Sequence, residues 1–208
     1  MQLLNKYFKI IFIWIIPVAC SNGDFSFNDN LPKYKVDHGV FKLIKEGDIL
    51  LRQGLGPLST HIVDFMNEKN KLSHCGIVCK INNQLKVVHC ISEELSGING
   101  VQTQSINEFF SDVADSNVAI VRPKLDSLEK TKFVKEANRF LNKKIKFDNY
   151  FDFKDTSTMY CSEMVYYSYR NCTSKNPFEF KETKHVSLMK FDSFFKQKYF
   201  TTIWKAKK

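Results

Sequence analysis

Three residues of this chain are of types that together could do covalent chemistry: Cys161, His74 and His89. Cys161 follows Asp155-Thr-Ser-Thr158, a run of helix-capping residue types, and stands in the first turn of a helix expected over about Tyr160 to Arg170. Unpaired backbone N–H groups and the positive end of the helix dipole favour a thiolate at such a position. The same N–H groups can hold the oxyanion formed when a carbonyl is attacked. A nearby imidazole would complete the activation. Taken alone, a cysteine at a helix start is more often a core residue, so the functional reading depends on the histidines.

Those histidines lie in Leu72 to Ile91, LSHCGIVCKINNQLKVVHCI. Two apolar runs flank Asn82-Asn83, the signal of a hairpin turn. If these asparagines form the loop, Ile81 pairs with Gln84, and counting outward puts Gly76 opposite His89 and Cys75 opposite Cys90. Side chains alternate along a strand, so His74, Gly76 and His89 share one face. His74 and His89 become diagonal neighbours at roughly 7–8 Å between backbones, within reach of two imidazoles. His74 is then the candidate base, and His89 the third member that orients it and fixes its tautomer. A one-residue slip in register would take His89 off this face.

The hairpin is also dense in metal-ligand types, with Cys75, Cys79 and Cys90 beside the two histidines. The expected geometry argues against zinc. Histidines and cysteines point to opposite faces, and Cys75 and Cys79 are roughly 13 Å apart along the strand. The three cysteines read as packing, with a Cys75–Cys90 disulfide as an alternative in an oxidising compartment. No metal and no organic cofactor is expected.

The elements that must position these residues follow from the rest of the chain. Ile49-Leu50-Leu51 reads as a strand after the turn Lys45 to Asp48, and Gln53 to Ser59 as a Gly/Pro-punctuated loop. A short helix is expected over His61 to Asn67. SEELSGING after the hairpin reads as a loop, Val101 to Thr103 and Val118 to Arg122 as strands, and Ser105 as the cap of a short helix. Asp126 with Glu129 three residues on marks the start of a stronger helix, whose stripe is Phe133, Val134, Ala137, Phe140 and Leu141. An aromatic stretch, Phe147 to Phe153, precedes the Cys161 helix. Met189 to Tyr199 is expected to be helical with Phe191, Phe194 and Phe195 inward, and the terminal lysines to fray.

With 208 residues, 43% hydrophobic content and 19 Phe, the chain can bury one sizeable core. Its net charge of +9 comes from lysines scattered singly, which describes a solvated surface rather than a nucleic-acid stripe. No nucleic-acid partner is expected, and the oligomeric state is open. Lys6 and Lys9 precede the apolar run Ile10 to Ile16, too short to span a bilayer, and Pro17-Val18-Ala19-Cys20 follows. This arrangement resembles a bacterial lipoprotein signal, although Pro17 stands where that signal usually has Leu. The resemblance implies cleavage before a lipid-modified Cys20. The expected organisation is a signal over 1–19, a tether over 20–39 and one domain over 40–208. Of six cysteines, five would remain, so at least one thiol is unpaired.

A wider resemblance rests on five blocks in order: Gly47-Asp48-Ile49-Leu50-Leu51-Arg52, Ser73-His74-Cys75-Gly76-Ile77-Val78, Val87-Val88-His89, Gly100-Val101, and Tyr160-Cys161-Ser162-Glu163-Met164-Val165. They resemble the YiiX/YebB-like proteins, circularly permuted relatives of the NlpC-type papain-like cysteine hydrolases. The resemblance implies an α+β fold in which an antiparallel sheet or small barrel packs against helices. It implies Cys161 as nucleophile and His74 as base, with an acyl-enzyme resolved by water or another acceptor. His89 stands where many such members carry Glu. Phe147-Asp148 is similar to a Tyr-Asp motif lacking its hydroxyl, which Tyr150 or Tyr160 would have to supply to substrate or oxyanion. Glu163 is expected to bond within its helix or to Arg52. His185, which follows Cys161 in papain's order, is the alternative base, while His38 is expected to be exposed and His61 has no assigned role. Substrates in the superfamily include cell-wall peptides and lipid-linked acyl groups, met at an envelope membrane through lipid on Cys20. The alternatives are an acyltransferase and a non-catalytic envelope binding module of the same fold.

Overall fold

The computed structural model describes residue 34 and residues 36–206, apart from 115, 154, 155 and 185. The expected signal, Cys20 and His185 lie outside the described residues. Asp37 caps a short helix α1 (His38–Phe41), its carboxylate accepting from the Gly39 N–H, and His38 is exposed as expected. Strand β1 (Ile49–Arg52) follows, and then α2 (Pro57–Met66). This helix starts four residues ahead of the expected His61, because Pro57 occupies the first turn, where its missing N–H costs nothing.

Strands β2 (His74–Ile81) and β3 (Gln84–Ile91) form the expected hairpin, with Ile81 opposite Gln84 and Gly76 opposite His89. Asn82 and Asn83 both take positive φ, at 48° and 62°, the conformation a two-residue turn demands and asparagine tolerates. The SEELSGING segment is not all loop, since it contains one turn of helix, α3 (Glu93–Ser96). Next come β4 (Gly100–Ser105), α4 (Ile106–Ser111), β5 (Val118–Pro123) and α5 (Ser127–Lys143). Both expected caps form as reciprocal boxes, Ser105 with Glu108 and Asp126 with Glu129. A two-residue parallel pair, β6 (Lys146–Phe147) with β7 (Thr158–Met159), leads into α6 (Cys161–Arg170).

The C-terminal part departs from the expected single helix. It forms a small hairpin, β8 (Phe180–Glu182) with β9 (Ser187–Met189), then a 3-10 turn (Phe191–Phe195), then a strand, β10 (Phe200–Lys205). The Phe191–Phe194 spacing matches a 3-10 period as well as an α period. Phe200-Thr-Thr-Ile-Trp-Lys205 carries the β-branched and aromatic types of a strand. It pairs along β5, giving an open antiparallel sheet in the order β10-β5-β1-β2-β3-β4.

The sheet separates two apolar layers. On one face Cys75, Ile77, Cys79, Val88 and Cys90 pack with Phe133, Phe140, Met164 and Val165 from α5 and α6. On the other, Leu50, Val78 and Val87 pack with Phe109 and Phe110 of α4. Among the described residues no helix is long and apolar enough to cross a membrane.

Candidate active site

Cys161 is the first residue of α6 and is buried against the start of β2. Its Sγ lies 3.9 Å from the Ser73 carbonyl, to which the thiol donates. The segment that delivers it is fixed from the hairpin, because the Cys90 thiol donates to the Met159 carbonyl at 2.9 Å. The Cys75 thiol and the backbone amides of Cys75, Ser162 and Cys161 itself favour the charged form of this sulfur. Led by the Cys75 thiol, these groups hold the Cys161 thiol below its ordinary pKa against the opposing effect of burial. Cys75, Cys79 and Cys90 lie in the core as expected, and the Cys75–Cys90 disulfide does not form: all five described cysteines are free. Cys75 does more than pack, since its thiol acts on the Cys161 sulfur. Sequence periodicity gives its face but not that contact.

The two imidazoles meet as the hairpin register requires. His74 Nε2 and His89 Nδ1 are 2.9 Å apart, with ring centroids at 5.1 Å. Gly76 makes room for this, since a Cβ there would lie 2.5 Å from Val87 Cγ1 and 3.0 Å from His89 Cβ. Phe109 covers the pair, stacked on His74 at 5.5 Å and edge-on to His89 at 5.8 Å. Arg52, opposite His74 on β1, lies over the same Phe109 ring at 4.8 Å. Its guanidinium donates to the carbonyls of Phe109 and Asp112 and pairs with the Asp112 carboxylate at 3.1 Å. Glu163 is therefore not its partner; that carboxylate accepts from the Tyr160 backbone N–H inside the helix start. Burial, then the Arg52 charge and His89, push His74 well below the ordinary histidine pKa. Burial and Arg52 push His89 down to about 3. Both rings are thus neutral at pH 7 and Arg52 is the fixed cation of the site. Arg52 also couples electrostatically to the Cys161 thiolate, each charge stabilising the other.

The thiol and the imidazole of His74 both lie at the start of β2, but in different layers. Cys161 packs with the cysteine face, and the histidines with Phe109 on the other. The thiol donates to backbone next to His74, at the Ser73 carbonyl. Among the described residues it has no hydrogen bond to either ring. The Tyr160 hydroxyl donates to the Ser187 carbonyl at 2.8 Å, so this tyrosine presents its ring to the site and not its hydroxyl. Tyr150 is 81% exposed on the loop after β6. The Asp148 carboxylate accepts from the backbone N–H groups of Tyr150 and Asp152 and so shapes that loop. His61, on α2, uses its Nδ1 on the Pro57 carbonyl. Phe109 and Asp112 were outside the sequence reading. The capped helix containing Phe109 was legible, but its placement over the histidines was not.

A family described as permuted papain-like amidase enzymes, YaeF/YiiX, C92 family, matches residues 43–204. The chain belongs to this family. The crystal structure of the metalloprotein yiiX from Escherichia coli O157:H7 shares the fold, with a TM-score of 0.64 and 17% identity over 78% of this chain and 97% of that one. No curated protein matches the sequence. The circularly permuted papain-like, α+β fold expected from the five sequence blocks is the fold of this family.

Proposed function

We propose that this member of the permuted papain-like amidases is a cysteine hydrolase that opens an amide or ester bond through an acyl-enzyme on Cys161. The observation that carries this reading is the position of Cys161 as the first residue of α6, with Sγ 3.9 Å from the Ser73 carbonyl beside His74 and its thiol held below the ordinary value. Backbone N–H groups at a helix start stabilise a thiolate and can hold the oxygen of an attacked carbonyl. His74 acts as base. In the tautomer in which its Nε2–H donates to His89 Nδ1, its Nδ1 is the nitrogen that accepts the proton. In the first half-reaction the thiol proton passes to His74 and sulfur bonds to the carbonyl carbon. The imidazolium then returns the proton to the departing amine or alkoxide as the carbon–nitrogen or carbon–oxygen bond breaks. Water, deprotonated by the same imidazole, cleaves the thioester and restores the thiol. His89 orients His74 without touching the substrate.

The related yiiX protein is described as a metalloprotein. The donors of this chain do not suit a metal at the site. His74 and His89 spend facing nitrogens on each other, and no group of three His, Cys, Asp or Glu side chains is placed to share an ion among the described residues. No step is derived through one.

The substrates in view are cell-envelope peptides or lipid-linked acyl groups, reached from a membrane by a chain lipidated at Cys20 and exported to the bacterial envelope. Labelling with a fatty-acid analogue in cells, lost in Cys20→Ala, checks the anchor. For the chemistry, an acyl probe should add one acyl mass to the intact protein. The adduct should vanish in Cys161→Ala and form at least a hundredfold more slowly in His74→Ala. A Cys161 that iodoacetamide does not label near neutral pH, with turnover unchanged in Cys161→Ala, would leave a binding module in its place.

A further inference from the structure

The start of β5, the end of β10 and the segment between α2 and β2 border a cavity of about 310 Å³. That lies within the roughly 300–1,000 Å³ usual for small-molecule sites. Its floor is apolar, made by the buried Leu72, Val118 and Ala119. Lys69, Asn70, Asn117 and Lys205 surround the floor, and no carboxylate stands among the described residues that line it. Asp192, outside the lining, accepts from Asn70 Nδ2 at 2.6 Å, which leaves Asn70 Oδ1 to accept from Lys205 Nζ. The same Nζ lies 5.2 Å from the centre of the Phe195 ring. Lys205 is thus held in place by an amide and an aromatic face, both neutral. Neither Lys69 nor Lys205 makes an ion pair among the described residues, whereas Lys175, Lys190 and Lys196 each meet a glutamate. Asn117 Nδ2 donates to Gln53 Oε1 at 2.6 Å, which leaves its Oδ1 for a ligand.

We infer that this cavity binds a small organic phosphate. A phosphate monoester carries about 1.5–2 negative charges at pH 7, a match for the paired ammonium groups, and lysine binds phosphate as a point charge. The carbon body of the ester rests on Leu72, Val118 and Ala119, and a hydroxyl on it can donate to Asn117 Oδ1. A bare phosphate ion would leave most of the volume unfilled and the apolar floor uncovered. The site does not depend on the reading of Cys161 as nucleophile. It borders the elements that carry the imidazole side, since Leu72 stands two residues before His74 and Asn117 bonds to Gln53, which follows Arg52.

Isothermal titration of the full chain with β-glycerophosphate tests the site. Binding should be saturable, and neutral glycerol should give none. Lys69 is exposed, so Lys69→Met should fold, and it should weaken binding about tenfold. Lys205→Met should do the same. Ala206→Trp keeps both lysines but fills the cavity from its rim, and should abolish binding in a chain that circular dichroism shows to be folded. Phosphatidylglycerol vesicles that lower the affinity for β-glycerophosphate identify a lipid headgroup as the ligand, and vesicles that leave it unchanged identify a free ester. Heat no larger than that of sodium chloride at equal ionic strength, or affinity unchanged in Lys69→Met and Lys205→Met, overturns the site.

Discussion

On one face of β2 His74, Gly76 and Val78 lie with Phe109 and Arg52; on the other, Cys75, Ile77 and Cys79 lie with the helix that begins at Cys161. The imidazole side is a packed layer around a buried cation, where every cause acting on the rings opposes their charging. The thiol side is the reverse. The groups around one sulfur, led by the Cys75 thiol, favour its charged form, and the apolar side chains of Ile62, Met66 and Phe151 lie beside it. Neutral rings remain proton acceptors at pH 7, and the anion is stabilised by donors and Arg52 without requiring a resting imidazolium. The contrast teaches that the two halves of a thiol–imidazole site can be tuned by separate layers of one sheet.

Acid should break the imidazole side first. An unfolded histidine titrates near 6.5, whereas His89 is held at about 3 and His74 well below its ordinary value. As pH falls the unfolded chain binds protons before the folded one. The contribution of the neutral rings is therefore complete above about 6.5 and is lost as pH falls towards 3. From pH 7.5 to 5.0 the loss should be about 2 kcal/mol for each ring that stays neutral. Urea unfolding at the two pH values measures it, and His89→Phe should remove close to half. An equal loss in that variant would show that His89 is not held neutral.

Gly76→Ala attacks the same side by volume. The added methyl meets Val87 Cγ1, the Val88 carbonyl at 2.9 Å and His89 Cβ, and the carbonyl cannot rotate away. We expect about 1–3 kcal/mol of destabilisation and a displaced His89. Thermal unfolding and the histidine ring NMR shifts would record both.

Arg52→Met should sharpen the comparison, because Arg52 acts on both sides. Removing the cation raises the imidazole pKa values, so activity is lost at higher pH on acidification. It also withdraws support from the thiolate, so Cys161 alkylates more slowly at a given pH. Both curves should move upward by about one pH unit. Movement of one alone would mean that Arg52 serves only that layer.

The smallest effect on stability is expected at Cys75. Its thiol is the leading influence on Cys161, so Cys75→Val should raise the Cys161 pKa, read from iodoacetamide alkylation against pH, and Cys75→Ser should restore it. Equal shifts in both variants would reduce Cys75 to packing.

The histidine pair was legible in the sequence because its geometry is local: Asn82-Asn83 sets the register and the register sets the faces. The Cys161 helix was legible for a similar reason, from the capping types before it. What escaped the sequence depends on long-range contact. Arg52 meets the Phe109 carbonyl 57 positions away, and nothing in either residue's neighbourhood announces the other. The Phe147 to Phe153 stretch showed its aromatic content, but not that Asp148 would fold it so that Phe151 lies beside Cys161. Strand β10 was hidden by the lysines around it and by the phenylalanine spacing before it.

The turn at Asn82-Asn83 also bears on time. His74 and His89 are close neighbours along the chain and belong to one hairpin, a unit that forms in about 1–10 μs. Cys161 reaches the start of β2 only when a segment far along the chain docks, a step that must first overcome the entropy of closing a long loop. The imidazole pair can therefore assemble before Cys161 docks, and the thiol gains its contact with the Ser73 carbonyl only with that docking.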